Sequence, residues 1–64
     1  MQAEMNRLLR DTDAAALLSC SRSTFWRRVA DGTIPRPIRL GGISRWRAAD
    51  IERAVAEAEE RRGW

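Results

Sequence analysis

The stretch Leu17-Leu18-Ser19-Cys20-Ser21-Arg22-Ser23-Thr24-Phe25-Trp26-Arg27-Arg28-Val29-Ala30-Asp31-Gly32, residues 17 to 32, decides how the chain folds. Ser19-Cys20-Ser21 interrupts the helix-forming run Ala14-Ala15-Ala16-Leu17-Leu18 with residues of poorer helix propensity. Ser21 then stands where its hydroxyl can cap a second helix from Arg22 to about Ala30, accepting a backbone N–H that the first turn leaves without a partner. Phe25 and Val29 lie four apart on one face of that helix, with Arg22, Ser23, Trp26 and Arg27 on others. Asp31-Gly32 stops it, since glycine reaches the left-handed conformation that ends helices. Upstream, Asp11-Thr12-Asp13 supplies a cap-type residue and a first-turn acid for a helix over about Asp13 to Leu18.

Working outward, Pro35 and Pro37 exclude helix and favour an extended path. Ile38-Arg39-Leu40, Gly41-Gly42 and Ile43-Ser44-Arg45-Trp46 read as two short strands about a glycine turn. From Ala48 the helical pattern returns, with Ile51, Ala54, Val55 and Ala58 forming one apolar stripe among Glu52, Arg53, Glu57, Glu59 and Glu60, and Gly63 marks its end. Met1 to Arg7 carries no strong pattern and reads as a flexible arm, residues 1–7, ahead of one folded domain over residues 8–62. Two helices joined by a three-residue turn, then a hairpin, then a third helix make a mostly α fold with a small β-hairpin. This is a winged helix-turn-helix, three helices plus wing, in which the second helix enters the major groove. Helical and strand spacing bring Leu17, Leu18, Phe25, Val29, Trp46, Ile51 and Val55 into one small core.

Charge points to the partner. Residues 21 to 47 hold seven arginines against the single acid Asp31, a local charge of +6 in a chain whose net charge is +3. A basic middle third between mildly acidic ends suits a polyanion, most often nucleic acid. Every basic residue is arginine and none is lysine; the guanidinium fork fits phosphate oxygens and guanine edges, although composition bias of a genome produces the same usage.

Other classes find little support. The chain has 64 residues, one cysteine and no histidine, so it holds no internal disulfide, zinc constellation or haem motif, and no cofactor or metal is expected. An enzyme is not expected either: Cys20 has no base partner, and Asp11, Asp13 and the Glu57-Glu59-Glu60 cluster are explained by helix capping and a polar helix face. Gly41-Gly42 follows no nucleotide-binding pattern and is a turn. No apolar run is long enough to span a membrane and no signal-peptide pattern opens the chain, so a cytoplasmic, nucleoid-associated protein with no membrane and no small-molecule ligand is expected.

Leu8-Leu9-Arg10, Ala15 to Arg27, Gly32 to Gly42 and Arg45-Trp46-Arg47-Ala48-Ala49-Asp50-Ile51 together resemble the AlpA-like regulators and small phage excisionases, whose winged helix is related to that of MerR-type regulators. The resemblance covers roughly residues 8 to 56. Its most specific pieces are Ser21-Arg22-Ser23-Thr24, the Pro35-x-Pro37 stretch and Arg45-Trp46-Arg47 ahead of Asp50-Ile51. Relatives often carry glycine where Ser19 stands and a small aliphatic where Cys20 stands. The hairpin tip Gly41-Gly42-Ile43 lacks the basic residue often found there, which favours phosphate contact over deep minor-groove reading.

The resemblance and helix geometry together imply a DNA-facing set of Arg22, Ser23, Thr24, Arg27 and Trp26. Arg22 and Arg27 are the base-reading candidates, because bidentate arginine to guanine is the commonest specific contact; the alternative for each is a solvated charge or a phosphate contact. Thr24 serves equally as a helix-start residue, and Trp26 as a partial core residue against the hairpin. Arg28, Arg36, Arg39, Arg45 and Arg47 read as phosphate clamps. Trp46 alternates with Arg45 and Arg47, so it points opposite to them, inward. Trp64 reads as an exposed terminal aromatic or a small contact for a neighbouring copy.

The implied partner is double-stranded DNA, with an integrase or further copies of the chain on adjacent DNA sites. The first use that fits is a recombination directionality factor that binds and bends attachment-site DNA. A small AlpA-like transcriptional regulator is the alternative. A third reading, of a different class, is a protein-docking module acting through the acidic third helix.

Overall fold

The computed structural model describes residues 2–62, and the expectations for Gly63 and Trp64 lie outside them. The chain runs α1 (Gln2–Met5), β1 (Leu8–Leu9), α2 (Asp11–Leu17), α3 (Arg22–Ala30), β2 (Ile38–Leu40), β3 (Ile43–Arg47) and α4 (Ala48–Arg61). Helices α2 and α3 form the helix-turn-helix, β2 and β3 the wing, and α4 closes the domain as its third long helix. α3 begins and ends as its sequence dictates. The Ser21 hydroxyl accepts the Thr24 N–H at 3.1 Å, and Gly32 follows the helix at φ +88°.

The turn between α2 and α3 is a Schellman motif. Cys20 N–H donates to the Ala15 carbonyl and Ser19 N–H to the Ala16 carbonyl, each at 3.0 Å, which satisfies carbonyls that the helix end would otherwise leave free. Closing those bonds puts Ser19 at φ +55°, the left-handed region that glycine occupies without steric cost. α2 itself starts at Asp11, two residues earlier than its composition suggests, and ends at Leu17. Arg10 takes the N-cap position, and its N–H donates to Asp13 Oδ2 at 3.2 Å, so Asp13 is the first-turn acid, while Asp11 lies inside the helix rather than ahead of it.

Gly41 and Gly42 both have positive φ, +54° and +94°, which a two-residue hairpin turn of the type I′ class demands. That turn sets Leu40 opposite Ile43, Arg39 opposite Ser44 and Ile38 opposite Arg45. β3 extends one residue beyond its expected end, to Arg47, because it has a second neighbour. β1 pairs with it antiparallel, Leu8 opposite Arg47 and Leu9 opposite Trp46, giving a three-stranded sheet of order β1-β3-β2. Ala48 N–H adds a bond of 2.9 Å to the Arg7 carbonyl. The stretch before β1 forms the single helical turn α1, which packs against α4.

The core consists of Leu9, Ala14, Ala15, Phe25, Ile34, Trp46 and Ile51, with Leu18, Cys20, Trp26, Val29 and Ala48 packed around it. Phe25, Trp46 and Ile51 are the anchors their spacing predicts. Leu17 and Val55 are not core: they are 54% and 39% exposed. In a helix of seven residues only one narrow face reaches the sheet, and Ala14 and Ala15 occupy it, leaving Leu17 outside. Ile34 and Leu9, from a loop and a two-residue strand, fill the space. Phe25 and Trp46 meet edge to face with ring centroids 4.9 Å apart, and Trp26 lies across Trp46 at 5.3 Å and 67°. Edge-to-face aromatics add about 0.5–1.5 kcal/mol beyond area burial, so this cluster pins α3 to the wing.

Candidate nucleic-acid interface

Helix α3 presents Arg22, Ser23 and Arg27 to solvent. Thr24 is half-buried, and its hydroxyl accepts from Ser21 Oγ at 3.0 Å and from Arg27 Nη2 at 3.4 Å, so it belongs to the cap as much as to the surface. Arg28 turns the other way and pairs with Asp31 at 3.1 Å. Two hydrogen bonds from Thr33 to Asp31 Oδ1, at 2.6 and 2.9 Å, with Arg28 nearby, hold the Asp31 carboxyl below its ordinary pKa of 3.8.

Trp26 is half-buried against the core, as one of its two readings has it, but its indole nitrogen points out to a partner the spacing did not reveal. Nε1 donates to Asp11 Oδ2 at 2.9 Å, and Arg22 Nε donates to the same oxygen at 2.6 Å. Asp11 Oδ1 accepts the Thr12 N–H at 2.7 Å. The Trp26 hydrogen bond, followed by that of Arg22, lowers the Asp11 pKa below 3.8 against the opposing effect of desolvation. Asp11 is therefore not only an acid of a helix start. It joins the first turn of α2 to the exposed face of α3, across 11 and 15 residues of sequence.

The wing carries its arginines on two different faces. Residues directly opposite in a ladder share a face, and successive residues of a strand point to opposite faces. Trp46 points inward, so Ser44 and its partner Arg39 share the side toward α3, while Arg45 and Arg47 lie on the outer side with Ile38 and Leu8. A groove of about 450 Å³ between α3 and the wing, lined by Trp26, Val29, Ala30, Arg36, Pro37 and Arg39, brings Arg36 and Arg39 beside α3. Among the described residues neither makes an ion pair. On the outer side Arg45 Nη1 donates to the Ser44 carbonyl at 2.8 Å and Arg47 Nη1 to the Asn6 carbonyl at 3.4 Å, and Leu40 and Ile43 form an exposed apolar pair at the tip.

Among the described residues no group of acids, cysteine and histidine could hold a metal ion, and no helix is long and apolar enough to cross a membrane. The model of one protein family, described as Prophage CP4-57 regulatory protein (AlpA), matches residues 7–58. Neither a curated protein nor a solved structure matches the chain.

Proposed function

The chain belongs to the AlpA family of prophage regulatory proteins and is a small DNA-binding regulatory protein; from that premise we propose that it reads a specific duplex sequence through α3 in the major groove. Arg22 and Arg27 are the base readers, Ser23 and Thr24 contact phosphate or base edges at the helix start, and Trp26 lines the edge of the contact. Arg36 and Arg39, on the α3 side of the wing, clamp one run of phosphates; Arg45 and Arg47, on the outer side, take a flanking run, and Arg28 lies at the margin. The observation that carries this reading is the groove that sets Arg36 and Arg39 beside Trp26, Val29 and Ala30 of α3, neither arginine making an ion pair among the described residues. Phosphate contacts of that kind position the protein while base contacts specify the site.

The family's description favours control of transcription as the use. Recombination directionality, the binding and bending of attachment-site DNA with an integrase or further copies as partners, draws support from the two-sided wing. A duplex that touches Arg39 on one side and Arg45 on the other must curve around the hairpin, and bent DNA is what such a factor makes. Fluorescence anisotropy of a duplex recovered by the protein from a randomised pool, beside a scrambled duplex of equal length, tests the binding reading at two salt concentrations. Preference for the recovered duplex that persists at the higher salt supports it, and equal affinity for both rejects sequence reading. Gel mobility of the site placed at varied positions along a fragment tests bending: mobility independent of position rejects the excisionase use and leaves the regulator.

A further inference from the structure

We propose that Asp11 is a specificity-determining positioning residue: it holds Arg22 by Nε so that both Nη groups of the guanidinium face outward toward the O6 and N7 atoms of a guanine. The inference rests on the reading that Arg22 contacts a base. Four observations carry it.

Asp11 sits behind the arginine rather than in front of it, the two side chains being 19% and 67% exposed. Its bond goes to Nε, at 2.6 Å, the one nitrogen that an end-on bidentate contact with guanine does not use. Its own orientation is fixed by a rigid donor: Trp26 Nε1 holds the same carboxylate oxygen, and the Trp26 ring is wedged edge to face against Phe25 and Trp46. A continuous path therefore runs from the buried aromatics through Trp26 and Asp11 to the tip of Arg22. Arg22 and Trp26 stand at i and i+4 on α3, which is why one carboxylate from α2 can reach both.

The charge pattern separates Arg22 from Arg36 and Arg39, the arginines beside α3 on the wing. A guanidinium already paired with a carboxylate has little net charge left to attract phosphate or release counterions, so its value lies in geometry. Arg36 and Arg39 carry no such partner among the described residues and suit phosphate. An unanchored arginine also loses the freedom of several rotatable bonds when it docks on a base, and the Asp11 bond removes that loss in advance. The same acid, placed next to DNA, weakens attraction to every duplex alike. Specificity and raw affinity therefore pull in opposite directions at this one carboxylate.

That opposition supplies the test. Asp11→Asn keeps one oxygen where Trp26 Nε1 and Arg22 Nε meet, but it removes the negative charge, so the bond that holds Arg22 is weakened to a neutral one. Affinity is measured for the duplex that the wild-type protein recovers from a randomised pool and for a scrambled duplex of equal length, with wild type, Asp11→Asn, Arg22→Ala and the double variant. In Asp11→Asn, affinity for the scrambled duplex should rise severalfold and the ratio of recovered to scrambled should fall about tenfold, within the range one bidentate base contact contributes. The double variant should have the same ratio as Arg22→Ala alone. Should Asp11→Asn melt far below wild type, Asp11→Glu, which keeps the charge at a longer reach, carries the test by retaining more of the ratio than Asp11→Asn at equal fold content. Affinity that rises equally for both duplexes in Asp11→Asn, while Arg22→Ala lowers the ratio, overturns the positioning role and leaves Arg22 as a base reader. A ratio untouched by Arg22→Ala overturns the base-reading assignment itself.

Discussion

The indole N–H of Trp46 donates to the carbonyl of Pro35 at 2.8 Å, tying the middle of β3 to the proline stretch that leads into β2. Its ring meanwhile packs on Phe25 of α3 and is 1% exposed. One residue thus sets both the height of the wing and its distance from α3, and the groove carrying Arg36 and Arg39 follows from that spacing.

Trp46→Phe separates the two roles. Phenylalanine keeps a ring in the core but cannot donate, so the Pro35 carbonyl loses its partner at a cost of about 1–3 kcal/mol. In a domain of this size each kcal/mol moves the melting temperature by about 4–8 °C, so a drop of roughly 10 °C is expected. Trp46→Ala removes the ring as well, at about 3–5 kcal/mol, enough to unfold much of a domain whose whole stability is of that order. Leu17→Ala should shift the melt by less than about 0.5 kcal/mol, because that side chain is mostly in water. Thermal melts followed by circular dichroism check all three, and a Trp46→Phe melt equal to wild type would remove the bond from the account.

Ser19 is strained where glycine would not be. A side chain in the left-handed region costs about 1–2 kcal/mol, while glycine's extra freedom in the unfolded chain returns about 0.4–1 kcal/mol of that. Ser19→Gly should therefore raise stability by about 0.5–1 kcal/mol, read as a higher denaturation midpoint at unchanged slope. A lower midpoint would mean that the Schellman turn between α2 and α3 is not formed in solution.

Much of the fold is legible in the sequence alone. Ser21 and Gly32 bracket α3, and Gly41-Gly42 demands the hairpin, because each signal is local and rests on one residue's hydrogen bonding or allowed φ. β1 was not legible: two leucines show no period, and their partners, Arg47 and Trp46, lie far along the chain. Asp11 was hidden for the same reason, its contacts being set by the packing of α2 on α3 rather than by spacing. The split of the wing arginines, by contrast, was present in the sequence. A two-residue turn fixes Arg39 opposite Ser44, two positions before Trp46, so the inward direction of Trp46 already places Arg39 on the inner side. Leu17 and Val55 look like core by periodicity, but α2 is too short and α4 too long for the small sheet to cover those positions.

Two acids link stability to pH. Asp11 is lowered first by the Trp26 hydrogen bond and Asp31 by the Thr33 side chain, both from an ordinary value of 3.8. A carboxyl depressed in the folded state binds fewer protons there than when unfolded, so its contribution is complete above 3.8 and is lost as pH falls through the lower folded value. Denaturant titrations from neutrality to about pH 2 should show stability falling across that window. Asp11→Asn and Asp31→Asn should each flatten the fall, and profiles parallel to wild type in both would show that neither carboxyl is held as described.

The two faces of the wing make the placement of DNA measurable. Each phosphate contact that disappears should reduce the magnitude of the log affinity against log salt slope by about 0.9. Arg36→Ala with Arg39→Ala removes the pair beside α3 and should flatten the slope by roughly two units while leaving the order of preferred sequences intact. Arg45→Ala with Arg47→Ala removes the outer pair, whose guanidinium groups already bond to the Ser44 and Asn6 carbonyls, and should flatten it less. Arg53 gives the contrast, since it is paired with Asp50 at 3.2 Å on α4 among exposed glutamates, and its replacement should leave the slope nearly unchanged. Should the outer pair alone flatten the slope, the duplex lies across the sheet face bearing Leu8, Leu40 and Ile43, and α3 is not the major-groove element. A large effect from Arg53→Ala would move the contact to α4 instead. Equal, substantial losses from both wing pairs, each near two units, would require the backbone to wrap the hairpin, and the same variants should then abolish any bend seen by gel mobility.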